Sequence, residues 1–237
     1  PETTIPAESP VSQYLFRIEE APLEPQPNTT DTFKGKNFTI LQDQRGVASP
    51  LAALLTSSGA NVKVLPCTEQ DLPDHETGDG LILLSLLDDF GSNPTAVFET
   101  IQHACRKKIQ TIIGVTGRGG TFGHTGTTSS TDKNRGISGL FKSLAKEYSD
   151  KLVKIIDLDL HDGAEALANH IFAELHAADP LVEVGYHDGI RRQIVAVPLL
   201  TEWGPEKLSL DRNSVVLMLG GARGIAAQVA NKLAEQY

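Results

Sequence analysis

The chain has 237 residues and a mass of 25.5 kDa, with 21 basic against 30 acidic side chains and a formal net charge of −9. That length lies between one large domain and two small ones, and the acidic balance excludes a protein built chiefly to grip phosphate backbones. No run approaches the ~18 apolar residues of a membrane span, the polar, acidic start Pro1 to Thr4 is no secretory leader, and Cys67 and Cys105 are too few for a disulfide framework or a Cys-rich zinc site. A cytoplasmic protein that binds neither nucleic acid nor membrane is the expectation.

The first 34 residues differ from the rest. Pro6, Pro10, Pro22, Pro25 and Pro27 prevent continuous helix, so residues 1–34 read as a Pro-rich linker. Residues 13–18 (QYLFRI) are aromatic and β-prone, and predict a short edge strand within it. From residue 35 strands and helices alternate. Asn37 to Leu41 reads as a strand, Ser49 to Ser58 as a helix ended by Gly59, and Asn61 to Leu65 as a strand. Gly80 to Leu87 (GLILLSLL) has the continuous apolar character of a central parallel strand buried on both faces. Asn93-Pro94 opens a helix over 95–107, whose basic end suits the negative pole of the helix dipole.

A strand over 109–115 leads into a Gly/Thr/Ser-rich loop, followed by a helix over 137–148 and a strand over 153–158. A helix over 164–177 precedes two strands, 182–186 and 191–197, joined at Asp188-Gly189 as a hairpin. The alternation predicts an α/β protein with a Rossmann-like, mostly parallel sheet and right-handed crossovers.

The last segment carries the clearest motif. Ser214 to Leu219 (SVVLML) reads as a buried strand and runs at once into Gly220, Gly221, Ala222, Arg223, Gly224 and Ile225, then a helix over 227–235. Strand, glycine turn and helix form the opening unit of a dinucleotide-binding fold, in which the backbone approaches a pyrophosphate at the helix N-terminus. The spacing Gly220-x-x-x-Gly224 resembles that of short-chain dehydrogenase/reductases. Arg223, directly before the second glycine, resembles NADPH-preferring members, where it reaches the 2′-phosphate. Leu219 and Ala226 depart from that pattern, standing where Thr and Gly are usual. Such reductases protonate the developing alkoxide with a Tyr whose pKa a nearby Lys lowers. No Tyr-x-x-x-Lys or Tyr-x-x-x-Asn occurs among these residues, and Tyr148-Ser-Asp-Lys151 has the Lys one place too early. No catalytic residue is therefore assigned.

A YLFR-type opening strand, the stretch Gly139 to Glu147 (GLFKSLAKE), the hairpin Val182 to Arg192 (VEVGYHDGIRR) and the late LGGARGIA turn together resemble the ketoreductase region of type I polyketide synthases and polyunsaturated fatty acid synthases. The resemblance covers residues 12 to 237. It implies two Rossmann-like halves: a truncated structural half without cofactor at 35–205, and the first strand-turn-helix of the NADPH-binding catalytic half at 206–237. It also implies reduction of 3-oxoacyl chains to 3-hydroxyacyl chains. The substrate would be tethered through phosphopantetheine to an acyl carrier protein, and the other domains of the same synthase would be partners. This stretch alone would be inactive. A non-catalytic pseudo-ketoreductase or scaffold unit of such a synthase is the alternative, which the missing Tyr and Lys fit equally.

Other candidates read more plainly. The first crossover has a single glycine, Gly46, and Asp43 would repel phosphate, so no cofactor is expected there. Gly117 to His124 is glycine-dense after a strand, but the polar run 125–134 follows where an apolar helix is required. A flexible surface loop facing the partner half is expected. Asp157 and Asp159 read as a polar cluster ending a strand. The seven histidines contain no His-x-x-x-His pair, and no metal site is expected.

Overall fold

The computed structural model describes residues 14–24, 32–66, 78–88, 93–107, 109–124, 136–199 and 210–237. The prolines at 6, 10, 25 and 27, Cys67, the polar run 125–134 and the connector 203–209 lie outside them. The chain divides into two compact units, one of residues 14–197 and a second that takes in residues 198–237.

The first unit is built on an eight-stranded sheet. In chain order its elements are β1 (Tyr14–Glu20), β2 (Asn37–Leu41), α1 (Ala48–Ser57), β3 (Asn61–Leu65), β4 (Gly80–Leu83), α2 (Pro94–Arg106), β5 (Thr111–Thr116), α3 (Ile137–Glu147), β6 (Leu152–Leu158), α4 (Ala164–His176), β7 (Glu183–His187) and β8 (Ile190–Pro198). The strand order is β1-β8-β7-β6-β5-β4-β2-β3. Strands β2 to β7 run parallel, and β7 and β8 form an antiparallel hairpin. Its turn residues Asp188 and Gly189 have φ of 51° and 70°, as a tight two-residue hairpin demands. This is the α/β, Rossmann-like, mostly parallel sheet that the alternating pattern predicts.

Period-two alternation splits the core between the two sheet faces. Ile82, Ile113, Val115, Ile156 and Leu158 point to one face and pack beneath α1 and α4, with Leu51, Leu55, Leu167 and Ile171. Leu81, Leu83, Ile112, Val153 and Ile155 point to the other and meet Ile101 of α2 and Phe141 and Leu144 of α3. Helix α2 starts where its sequence says: the Asn93 side chain accepts from Thr95 N at 3.0 Å, and Pro94 stands at the first helical position.

Two boundaries differ from the sequence reading. The apolar run Gly80 to Leu87 leaves the sheet after Leu83 and finishes as a 3₁₀ turn, Leu84–Leu87. Leu84 and Leu87, three apart, join the same face of the core, and a continuous apolar run looks alike in either conformation. The expected edge strand is there, as β1 beside β8, but the stretch read as linker contributes more than that strand: Ala21 is buried, and Phe33 sits in the core with its ring edge-on to Phe38 at 5.3 Å.

The second unit contains α5 (Gly224–Gln236), preceded by a run without regular secondary structure. Ser214 to Leu219 is not the buried strand expected. It pairs with no strand among the described residues, and Val215, Leu217 and Leu219 are 96%, 89% and 90% exposed. A parallel strand takes its hydrogen bonds and its burial from neighbours, and this one has none here.

Candidate functional site

The six residues Gly220 to Ile225 come together as one turn at the N-terminus of α5. Gly220 and Gly224 have φ of 74° and 64°, a conformation that a side chain resists, and a Cβ added at either would meet no atom within 4 Å. The space over the turn is therefore open. Arg223 is extended at the N-cap position and its side chain does not cap the helix, and among the described residues no side chain accepts from the first N–H groups of α5. Arg223 and Ile225 are exposed beside them. Backbone donors and open space at Gly220 and Gly224 are what a phosphate group requires, and the exposed Arg223 is the residue that could pair with it. A cavity of about 280 Å³ lies between the preceding segment and α5, lined by Val216, Met218, Ala230, Leu233 and Tyr237.

The equivalent place in the first unit is closed. Buried Asp43 turns its carboxylate onto the start of α1. Its Oδ2 accepts from Arg45 N at 2.8 Å and Val47 N at 3.0 Å, and its Oδ1 from Ala48 N at 3.0 Å. Asp88 Oδ2 takes Gln44 N at 2.6 Å. The donors that would hold a phosphate are spent on carboxylates of the chain itself.

The loop Gly117 to His124 is not the flexible surface loop expected; it is clamped. Thr121 and Phe122 are buried. Asp157, at the end of β6, accepts from Thr116 Oγ1 at 3.0 Å, Arg118 N at 2.6 Å and Phe122 N at 2.9 Å. Burial pushes the Asp157 carboxyl up to about 6, although these hydrogen bonds favour its charged form. Gly120 lies so close to the Tyr186 carbonyl that a Cβ there would sit 1.8 Å from the oxygen. His187 Nδ1 completes the clamp, 2.9 Å from both Gly119 O and Asp159 Oδ2.

Asp159 also receives His161 Nδ1 at 2.7 Å, and the ligand atoms of Asp159, His187 and Asp188 lie within 4.8 Å of one another. Helical spacing of histidines could not reveal this grouping, because the topology gathers it from the ends of β6 and β7. Of its polar atoms, His187 Nδ1 reaches the loop and Asp159 holds that histidine, while Asp188 stands exposed.

A second assembly had no sequence signal. Fully buried Glu174 on α4 receives Lys154 Nζ at 2.7 Å, Tyr186 OH at 2.7 Å and Arg191 Nε at 2.5 Å. Burial alone would raise the Glu174 carboxyl, but Arg191 and Lys154 hold it below its ordinary range. Burial, and then the Glu174 charge, push the Tyr186 hydroxyl upward. Arg191 reaches Asp179 at 2.8 Å and the Ala21 carbonyl at 2.8 Å, so β6, α4, the hairpin and the segment after β1 share one ionic knot.

With this geometry in hand, solved structures give the relation. A C2-type ketoreductase from a modular polyketide synthase superposes with a TM-score of 0.57 at 16% identity, over 78% of this chain and 44% of that one. The fold is the one these ketoreductase domains share. The ketoreductase from the first module of phoslactomycin biosynthesis in Streptomyces sp. HK803 gives 0.56 at 15% identity, over 94% of this chain and 46% of its own. An A-type ketoreductase from a modular polyketide synthase gives 0.54 at 18%, over 94% and 50%. The chain thus spans about half the length of the ketoreductases it matches. No protein-family model matches it, and no curated protein sequence does. Among the described residues no helix is long and apolar enough to cross a membrane.

Proposed function

We propose that these residues belong to the ketoreductase region of a multidomain polyketide or polyunsaturated fatty acid synthase. In this reading residues 35–205 are the structural half and 206–237 open the half that binds NADPH. NADPH supplies the hydride, delivered to the β-carbon of a 3-oxoacyl chain held by phosphopantetheine on an acyl carrier protein. The residues here bind and orient. Gly220, Gly221 and Gly224 let the backbone approach the pyrophosphate, the N–H groups around Ala222 and Ile225 donate to it, and Arg223 reaches the 2′-phosphate. The stretch on its own is inactive, since the Tyr and Lys that finish the reduction are not among its residues.

The observation that carries the reading is the open, uncapped glycine turn at α5, set against the carboxylate-filled turn at α1. That contrast supports a nucleotide in the later half and none in the first. NADPH fluorescence titration of the intact reductase region tests it. Arg223→Ala should weaken NADPH by about tenfold, as loss of one charged hydrogen bond does, and leave NADH untouched. No affinity for NADPH, or affinity indifferent to Arg223→Ala, sinks the assignment. Tight NADPH binding without turnover of a 3-oxoacyl thioester would favour the scaffold alternative.

A further inference from the structure

Independently of that reading, the two ends of the sheet are finished differently. At one end β3 carries the polar Asn61 and the charged Lys63, the usual protection of an edge whose backbone groups face solvent. At the other, β1 presents Tyr14, Leu15 and Phe16 in succession, 56%, 46% and 67% exposed, and among the described residues no strand lies beyond it. Successive side chains alternate faces, so Tyr14 and Phe16 stand on one side of the sheet and Leu15 on the other. An edge with apolar side chains on both faces is a template for another strand.

The charge pattern of β1 says which strand fits. Its sequence is YLFRIEE, with Arg17 followed by Glu19 and Glu20. Laid parallel and in register on a copy of itself, it sets Arg17 on Arg17 and each Glu on its equivalent, which repels. Laid antiparallel about a two-fold axis at Ile18, it sets Arg17 opposite Glu19 of the second copy and Glu19 opposite Arg17 of that copy. Opposite charges directly across a ladder attract, and the symmetry makes the pair twice. The backbone agrees. Ala21 N donates to Arg191 O at 2.9 Å, so residues of Ala21's parity turn their backbone groups toward β8. Those of Tyr14, Phe16, Ile18 and Glu20 face outward, and Ile18 meets its equivalent as a hydrogen-bonded pair.

We propose that β1 is a homotypic docking edge, joining two copies of this chain through an antiparallel β1–β1 ladder that continues the sheet across the two-fold axis. Sedimentation equilibrium of the 237-residue chain over a concentration series tests it. A monomer–dimer equilibrium is expected, and Arg17→Glu or Glu19→Arg alone should weaken it by about tenfold, since each turns two attractions into repulsions. The double variant Arg17→Glu with Glu19→Arg restores the pairs and should restore the dimer. All of these positions are exposed, so circular dichroism should show an unchanged fold. A chain monomeric at its highest soluble concentration overturns the proposal. So does a dimer indifferent to both charge reversals. A dimer lost instead on Val215→Lys with Leu217→Lys would place the contact on residues 214–219, and also overturns it.

Discussion

Asp157 shows how one side chain can set the stability of a whole loop. Its carboxyl is raised to about 6 in the folded chain against 3.8 when free, so folding favours the protonated form. The stabilisation this brings is complete below the free value and is lost as pH rises through the folded one. Relative to Asp157→Asn, the wild-type chain should therefore lose on the order of 3 kcal/mol as pH rises from about 4 to about 6, and no more above that. Urea unfolding at a series of pH values reads it directly; a level difference across that range would contradict it. Glu174 is the opposite case, an acid held ionised by two cations. Glu174→Gln leaves buried Lys154 and Arg191 with only the half-buried Asp179 as counter-charge and should cost about 3 kcal/mol. Far-UV melting of the variant gives the figure, and a loss within experimental noise would mean that the knot is not holding the sheet.

At the scale of elements, the turn between β5 and α3 was the hardest to read. Glycines at 117, 119, 120 and 123 suggest a mobile loop in isolation, yet Gly120 is required because nothing larger fits against Tyr186 O. Gly120→Ala should unseat the loop and lower the melting temperature of the first unit, whereas Gly136→Ala, with open space around it, should not. Comparing the two thermal melts separates close packing from mere backbone freedom. Helix α1 offers the matching case. Asp43 occupies its N-terminal donors, so Asp43→Ala should cost about 1 kcal/mol, as loss of an N-terminal cap does. Strand positions and helix α2 were legible because alternation, Asn93 and Pro94 act locally. The clamp and the ionic knot were not, because Asp157, Glu174, Tyr186 and Arg191 meet only after four separate elements have assembled.

Over the whole molecule, the two units differ in how they are held. Strands β4 to β6 lie in the middle of the sheet with helices on both faces, while Ser214 to Leu219 has no ladder partner among the described residues. Amide hydrogen exchange should be fast over 214–219 and slow over 111–116, by several orders of magnitude. Equal protection would mean that 214–219 finds a partner in solution. The eight-stranded architecture was readable from the sequence down to its hairpin. The glycine turn was readable too, since Gly220 to Ile225 do gather at a helix start. The fate of the segment before it was not, because the apolar pattern of SVVLML records what a strand needs and not whether its neighbours are at hand.

The carboxylate of Asp43 has a consequence for counting. Two Rossmann-like halves in one reductase would offer two turns of similar shape, and a nucleotide at millimolar concentration would explore both. Under the proposed function, with the first turn already filled by a carboxylate of the chain itself, held in place by the fold, titration of the intact region should saturate at one equivalent of NADPH. On the proposed reading, a single acidic residue some 180 positions from the glycine turn would set how many nucleotides the region takes.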